Sequence, residues 1–189
     1  ETDVGAQTAF SVPPGGVVRR RMPDGSGAHF YTTDGSLFYA LATVDSDTVN
    51  LNHDWGFMLV PGRLLSTQAL VGWGPGADTN APSYSDQNGS PVWVTPVSGT
   101  TIYVDYDGDR TTGPLIDPNG NGYDVAYTLD ALQRQRVFDP DGDQTGMLLY
   151  TLDGTQIAVV WGQDPSNAQV GNPYLDLGTA VPPLLAFGA

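Results

Sequence analysis

No apolar run in this chain is long. Stretches rich in Val, Ile, Leu, Tyr, Phe and Thr are closed again and again by Gly, Pro, Asn or Asp, and 24 glycines and 15 prolines in 189 residues supply that punctuation. Such spacing suits strands and turns and leaves little room for helices. The charged residues push the same way. Glu1 is the only glutamate among 21 acids and all seven basic residues are arginine, so Glu and Lys, two common helix formers, are missing while the turn former Asp abounds.

Strands are expected at residues 55–60, 69–73, 92–97, 101–106, 125–129, 147–152 and 156–161, and two more across 29–44 joined by an Asp34-Gly35 turn. Residues 8–18 read as a strand, a turn at Pro13 to Gly16 and the start of another strand, and Arg19, Arg20 and Arg21 as charge carried on an edge strand. Only residues 129–138 offer a short helix, stopped by Asp139-Pro140. With 40% hydrophobic residues the chain has material for one sizeable core. The expected fold class is all-β, an antiparallel β-sandwich of jelly-roll or Ig-like type.

A repeat sharpens this expectation. Laying PDGSGAHFYTTDGS, from Pro23, over GDQTGMLLYTLDGT, from Gly142, brings Asp24 onto Asp143, Gly27 onto Gly146, Tyr31 onto Tyr150 and Thr32 onto Thr151. It also brings Asp34 onto Asp153, Gly35 onto Gly154 and Asp45 onto Asp164. The segment from Asp54 to Pro61 then matches that from Asp176 to Pro182 once a gap is allowed. The expectation is a single domain over residues 1–189 with two related halves, about 20–61 and 139–182, facing each other around one core. Where the second half has Asp139 and Asp141, the first has Arg20 and Met22, so a cation site in one is lost in the other.

A net charge of −14 repels nucleic acids and anionic membranes and favours cations. The absence of cysteine removes disulfides, thiolate metal sites and a Cys nucleophile. No run approaches a membrane span, and no basic-then-apolar signal opens the chain, which reads as a mature protein or an excised module.

The acids are concentrated. Asp105, Asp107 and Asp109 alternate along one loop; Asp117, Asn119 and Asn121 follow, with Asp124 close behind; Asp139, Asp141 and Asp143 make a third run. Oxygens at every second residue across Gly and Pro can turn inward around one hard cation, and calcium accepts six to eight of them with loose geometry. Without a cation, two carboxylates about 5 Å apart repel by roughly 3 kcal/mol at an effective dielectric near 20. The third run is not an EF-hand, because Tyr150 stands where a bidentate Glu would close the loop. The alternative for each run is an Asx-turn cluster capping nearby amides.

Catalytic patterns are thin. There are two histidines, His29 and His53; Asp54 and Ser66 lie near His53, but no nucleophile elbow supports a triad, and no enzyme activity is expected. Of the four tryptophans, Trp73 and Trp161 each precede a Gly at a strand end. Core packing is the first expectation for the tryptophans, and a ligand platform for a sugar is the alternative, for which Trp73 and Trp161 are the pair.

The run PVWVTPVSGTTIYVDYDGD, followed by DPDGDQTGMLLYTLDGTQIAVVWGQDPSNAQVGNPYLDLGTAVP, resembles modules of large bacterial surface and adhesin-like proteins that stand before Ig-like repeats, and more distantly IgGFc-binding-protein-like sequences. The resemblance covers residues 71–182, and the first seventy more loosely. It implies a secreted or cell-surface multidomain parent and carries over no catalytic residue. The expected function is a calcium-stabilised extracellular module with a structural or adhesive role; the alternative is a calcium-dependent carbohydrate- or peptide-binding domain. Expected partners are neighbouring modules of the same chain and a host or bacterial surface glycan or protein.

Overall fold

A computed structural model describes residues 2, 7–23, 25–44, 55–74, 91–162 and 178–184. Twelve strands run through them: β1 (Leu41–Val44), β2 (Trp55–Met58), β3 (Gln68–Leu70), β4 (Val92–Pro96), β5 (Thr100–Asp105), β6 (Leu115–Ile116), β7 (Gly122–Tyr123), β8 (Val125–Leu129), β9 (Gln135–Val137), β10 (Leu148–Tyr150), β11 (Ile157–Gly162) and β12 (Gly178–Ala180). No α-helix occurs among the described residues; one 3-10 turn spans Gly62–Leu64.

Two four-stranded antiparallel sheets build the sandwich, in the orders β3-β10-β5-β8 and β12-β11-β4-β9. The chain crosses between them at β3 to β4, β4 to β5, β8 to β9, β9 to β10 and β10 to β11. Alternation decides what each strand buries. Val92 and Val94 of β4, Val137 of β9, and Ile157, Val159 and Trp161 of β11 meet Ala69, Ile102, Val104, Leu129 and Leu149 of the other sheet, with Val71, Met147 and Val181 completing the core. Across the sheet edges, Thr100 Oγ1 donates to Asp153 Oδ2 at 2.8 Å and Leu184 N–H to the Gln68 carbonyl at 3.0 Å.

The described residues of the related segment 20–61 lie outside this core, with Gly27 and Trp55 against the outer face of the β12-β11-β4-β9 sheet. Gly27 N–H donates to the Leu132 carbonyl at 2.9 Å, and the Trp55 and Trp93 rings lie 6.1 Å apart. Its hairpin β1-β2 forms a two-stranded sheet of its own.

Several local expectations change. Residues 129–138 are not helical: β8 ends at Leu129, the chain turns with Leu132 at φ 61°, and β9 leaves from Gln135. Gln133 holds the turn, its N–H on the Asp130 carbonyl and its Oε1 accepting the Asp130 N–H. Between residues 29 and 40 the Asp34-Gly35 turn is present, yet only Leu41–Val44 becomes a strand. Residues 8–18 keep the turn, Gly16 N–H to the Pro13 carbonyl at 2.8 Å, with no strand on either side. The expected charged edge strand at Arg19 to Arg21 is likewise not a strand; the Arg20 guanidinium sits 4.6 Å over the Phe10 ring. Asp24, Asp45, His53, Asp54, Asp164 and Asp176 lie outside the described residues.

Candidate metal loop and aromatic cavity

Strand β5 points Ile102 and Val104 into the core, so Tyr103 stands on the opposite face of its sheet. There it stacks on Tyr150 of β10, ring centroids 5.4 Å apart and planes 20° apart. A polar sheet face would need no cover; these two rings do. The chain from residue 105 to 124 supplies it, folding back through the small hairpin β6-β7. Tyr123 packs edge-on against Tyr103 at 5.1 Å, the Arg110 guanidinium lies 4.1 Å over the Tyr150 ring, and Tyr150 Oη donates to Asp117 Oδ2 at 2.9 Å.

The three runs of oxygen ligands sit in and beside this cover. Carboxylate oxygens of Asp105, Asp107 and Asp109 gather within 4.8 Å of one another, a group that could hold a metal ion. Asp105, only 1% exposed, anchors the group: its Oδ1 accepts the Gly108 N–H at 3.1 Å and its Oδ2 the Arg110 N–H at 2.7 Å. Burial and the adjoining Asp107 carboxylate push its pKa up, against the pull of the two amides. Asp109 is exposed and held below the usual carboxylate range by the Thr112 and Thr111 amides. A carboxylate oxygen carries two lone pairs, so an amide on one still leaves room for a cation on the other.

Asp117 is occupied differently. Besides Tyr150 it accepts the Asn119 N–H at 2.8 Å and the N–H and Nδ2 of Asn121 at 2.9 Å each. Burial opposes its charge, but the Asn121 donors, Tyr150 and Asn119 outweigh it and bring the pKa down to about 2. Asp124 Oδ2 accepts the Tyr106 N–H at 2.8 Å, closing the base of the loop.

Asp139, Asp141 and Asp143 form a ladder. Asp139 Oδ1 accepts the Asp141 N–H at 3.0 Å, Asp141 Oδ1 the Asp143 N–H at 2.8 Å, and Asp143 Oδ1 the Thr145 N–H at 2.9 Å. Burial, then Asp141 and Asp124, raises the Asp139 pKa. Burial also lifts the neighbouring Tyr106 phenol to about 12, with Tyr127, Asp139 and Asp124 adding to the shift.

The paired tryptophans meet at one end of the sandwich. Trp73 and Trp161 have ring centroids 6.1 Å apart at 44°, and with Val71, Thr179, Val181 and Pro182 they line an open cavity of about 360 Å³. Trp161 is buried, whereas Trp73 is 66% exposed. Sequence reasoning missed Tyr103, Tyr150 and Arg110 as the seat of the acidic loop. Their signal was present: Tyr103 alternates with Ile102 and Val104, so one face of the strand carries a large ring outward.

No protein-family model, curated protein or solved structure matches the chain. No helix among the described residues is long and apolar enough to cross a membrane.

Proposed function

We propose that this is a calcium-stabilised extracellular module of a bacterial surface or adhesin-type protein, with a structural or adhesive and non-catalytic role. The observation that carries the reading is the convergence of the Asp105, Asp107 and Asp109 oxygens at the mouth of a loop that covers a sheet face. A calcium ion there offsets the repulsion among three carboxylates and pins the loop over Tyr103 and Tyr150. Asp and backbone oxygens in an irregular loop suit calcium better than zinc, which takes N and S ligands in a tight tetrahedron. The resemblance to surface modules supports the extracellular setting, where calcium is abundant. Titration calorimetry with calcium and with magnesium tests it: one site preferring calcium, absent in the double variant Asp107→Asn, Asp109→Asn, is the expected result, and no calcium heat in the parent chain would overturn it.

The Trp73 and Trp161 cavity favours a second reading, calcium-dependent recognition of a carbohydrate. Two tilted indoles beside an open cavity present flat apolar faces to the C–H face of a sugar ring. A glycan array with calcium and with chelator separates the two. Binding lost on chelation and in Trp73→Ala supports recognition; a flat array under both conditions leaves the structural role.

A further inference from the structure

The two related segments carry one local fold but not one environment. Gly35 and Gly154 sit at φ 77° and 87°. Before them, Asp34 Oδ1 accepts the Ser36 N–H and Asp153 Oδ1 the Thr155 N–H, both at 2.9 Å. Thr32 Oγ1 donates to the Ser36 carbonyl at 3.0 Å, and Thr151 Oγ1 to the Thr155 carbonyl at 2.7 Å. The hairpins that follow share a register: Leu41, Ala42 and Thr43 face Met58, Phe57 and Gly56, as Val160, Trp161 and Gly162 face Ala180, Thr179 and Gly178. The next rung agrees too, Leu59 N–H on the Ala40 carbonyl at 3.0 Å and Val181 N–H on the Val159 carbonyl at 2.9 Å.

Their partners differ. β10 lies between β3 and β5, and β11 between β12 and β4. Among the described residues β1 has only β2 in its sheet, and residues 29–31, the counterpart of β10, form no strand. Tyr31 is 54% exposed where Tyr150 is 1%, and Phe38 50% where Ile157 is 2%. Leu37 and Tyr39, almost fully exposed, match Gln156 and Ala158 on the outward face, so Tyr31 and Phe38 are the core-facing positions left open. A segment shaped like the closing strands of a sandwich therefore has Trp55 buried beside Trp93 while Tyr31 and Phe38, at its core-facing positions, stand half in water.

Counting strands says what covers it. The described residues hold one set of receiving strands, β3, β4, β5, β8 and β9, and β10 to β12 already fill it. A second copy brings one more receiver and two more closing units, so self-association by exchange always leaves one closing unit open per chain. We propose that residues 25–44 and 55–61, the described part of the first related segment, are the closing unit of a second β-sandwich and dock into an open segment of the same kind as residues 62–138, which lacks closing strands of its own. In that complex a counterpart of β4 pairs with β1, and counterparts of β3 and β5 flank residues 29–31. Ala40 and Ala42 stand where Val159 and Trp161 stand here, so the natural receiver carries larger side chains opposite them.

The test is an extended chain in which a copy of residues 62–138 is joined directly ahead of Arg20 of the protein, with Ala40→Val and Ala42→Trp to match the core of this receiver. Hydrogen exchange is read residue by residue against the 1–189 chain. The expected result is a monomer in which amides of residues 29–31 and 38–40 exchange at least a hundredfold more slowly than in the parent, while residues 148–150 and 157–162 keep their protection. Adding Phe38→Asp should strip protection from the added segment alone. An added segment that stays unprotected, or that gains protection while residues 148–162 lose theirs, would overturn the proposal.

Discussion

Tyr150 Oη donates a 2.9 Å hydrogen bond to Asp117 Oδ2, and this single bond links the central strand β10 to the tip of the acidic loop. Tyr150 is thereby shared between two roles. Its backbone bridges β3 and β5, and its ring and hydroxyl seat the cover formed by residues 105–124.

Replacing Tyr150 with Phe keeps the ring and removes the donor. A hydrogen bond to a charged group is worth about 1.5–3 kcal/mol, and Asp117 retains its Asn119 and Asn121 donors, so a loss of about 1–2 kcal/mol is expected in urea unfolding. The Asp117 pKa should rise at the same time, which a carboxyl-resolved NMR titration reads directly.

Acid should weaken the protein through Asp117. Its folded pKa of about 2 lies below the ordinary 3.8. A depressed carboxyl contributes stability that is fully present above the unfolded pKa and is lost as pH falls through the folded one. The urea midpoint should therefore fall between about pH 4 and pH 2, and in Asp117→Asn that part of the slope should flatten. Asp105 and Asp139, whose pKa values are raised, act in the opposite sense: protonation relieves them in the folded state.

Gly108 marks the closest approach of the loop to the strand leading into β10. It sits at φ 69°, and an added Cβ would overlap the Gly146 carbonyl oxygen. Gly108→Ala should cost about 1–3 kcal/mol from the backbone conformation alone, and more from the overlap. Gly120, at φ 89° with open space around it, is the control: Gly120→Ala should cost about 1–2 kcal/mol. Equal losses at both positions in chemical denaturation would contradict the close packing of the loop.

The related halves should respond unequally to truncation. Ile157→Ala opens a cavity in the core and should cost about 2–5 kcal/mol. Phe38→Ala, at the matching position of the exposed half, should stay within about 0.5 kcal/mol in this chain. Parallel urea melts decide it.

Much of the architecture was legible because burial and strand period agree. Residues 92–97, 125–129 and 156–161 carry inward β-branched or aromatic residues between Gly and Asp turns, and they fold as β4, β8 and β11 with ends moved by at most one residue. Residues 29–40 carry the same pattern and fail to form strands, because a strand needs a neighbour for its amides and a core for its side chains, and neither can be read from the segment itself. The acidic runs show the same limit. All three have alternating oxygens, yet of the two all-aspartate runs only the first brings its carboxylates within 4.8 Å of one another, with Asp105 buried at a strand end and its oxygens turned back on Gly108 and Arg110. Asp107 and Asp109 accept the amide two residues on just as Asp139, Asp141 and Asp143 do, so the buried Asp105, whose oxygens take the amides three and five residues on, is what sets the first run apart. Trp73 and Trp161 were singled out because each precedes a Gly, but that they meet was not legible, since β3 ends at Leu70 and Trp73 follows it outside the strand.

The most direct test of the calcium reading is a thermal melt in EDTA and in millimolar calcium at fixed ionic strength, for the parent, for Asp107→Asn, Asp109→Asn, and for Asp139→Asn, Asp141→Asn. Calcium at a hundred times its dissociation constant adds about 2.7 kcal/mol, which for a chain of this size is a rise of about 5–10 °C. Asn keeps the acceptor that caps the loop amides and removes the charge, so the account predicts the full rise in the parent and in the Asp139 and Asp141 variant, and none in the Asp107 and Asp109 variant. A parent that melts at one temperature under both conditions, or an Asp107 and Asp109 variant that rises as far as the parent, would contradict it.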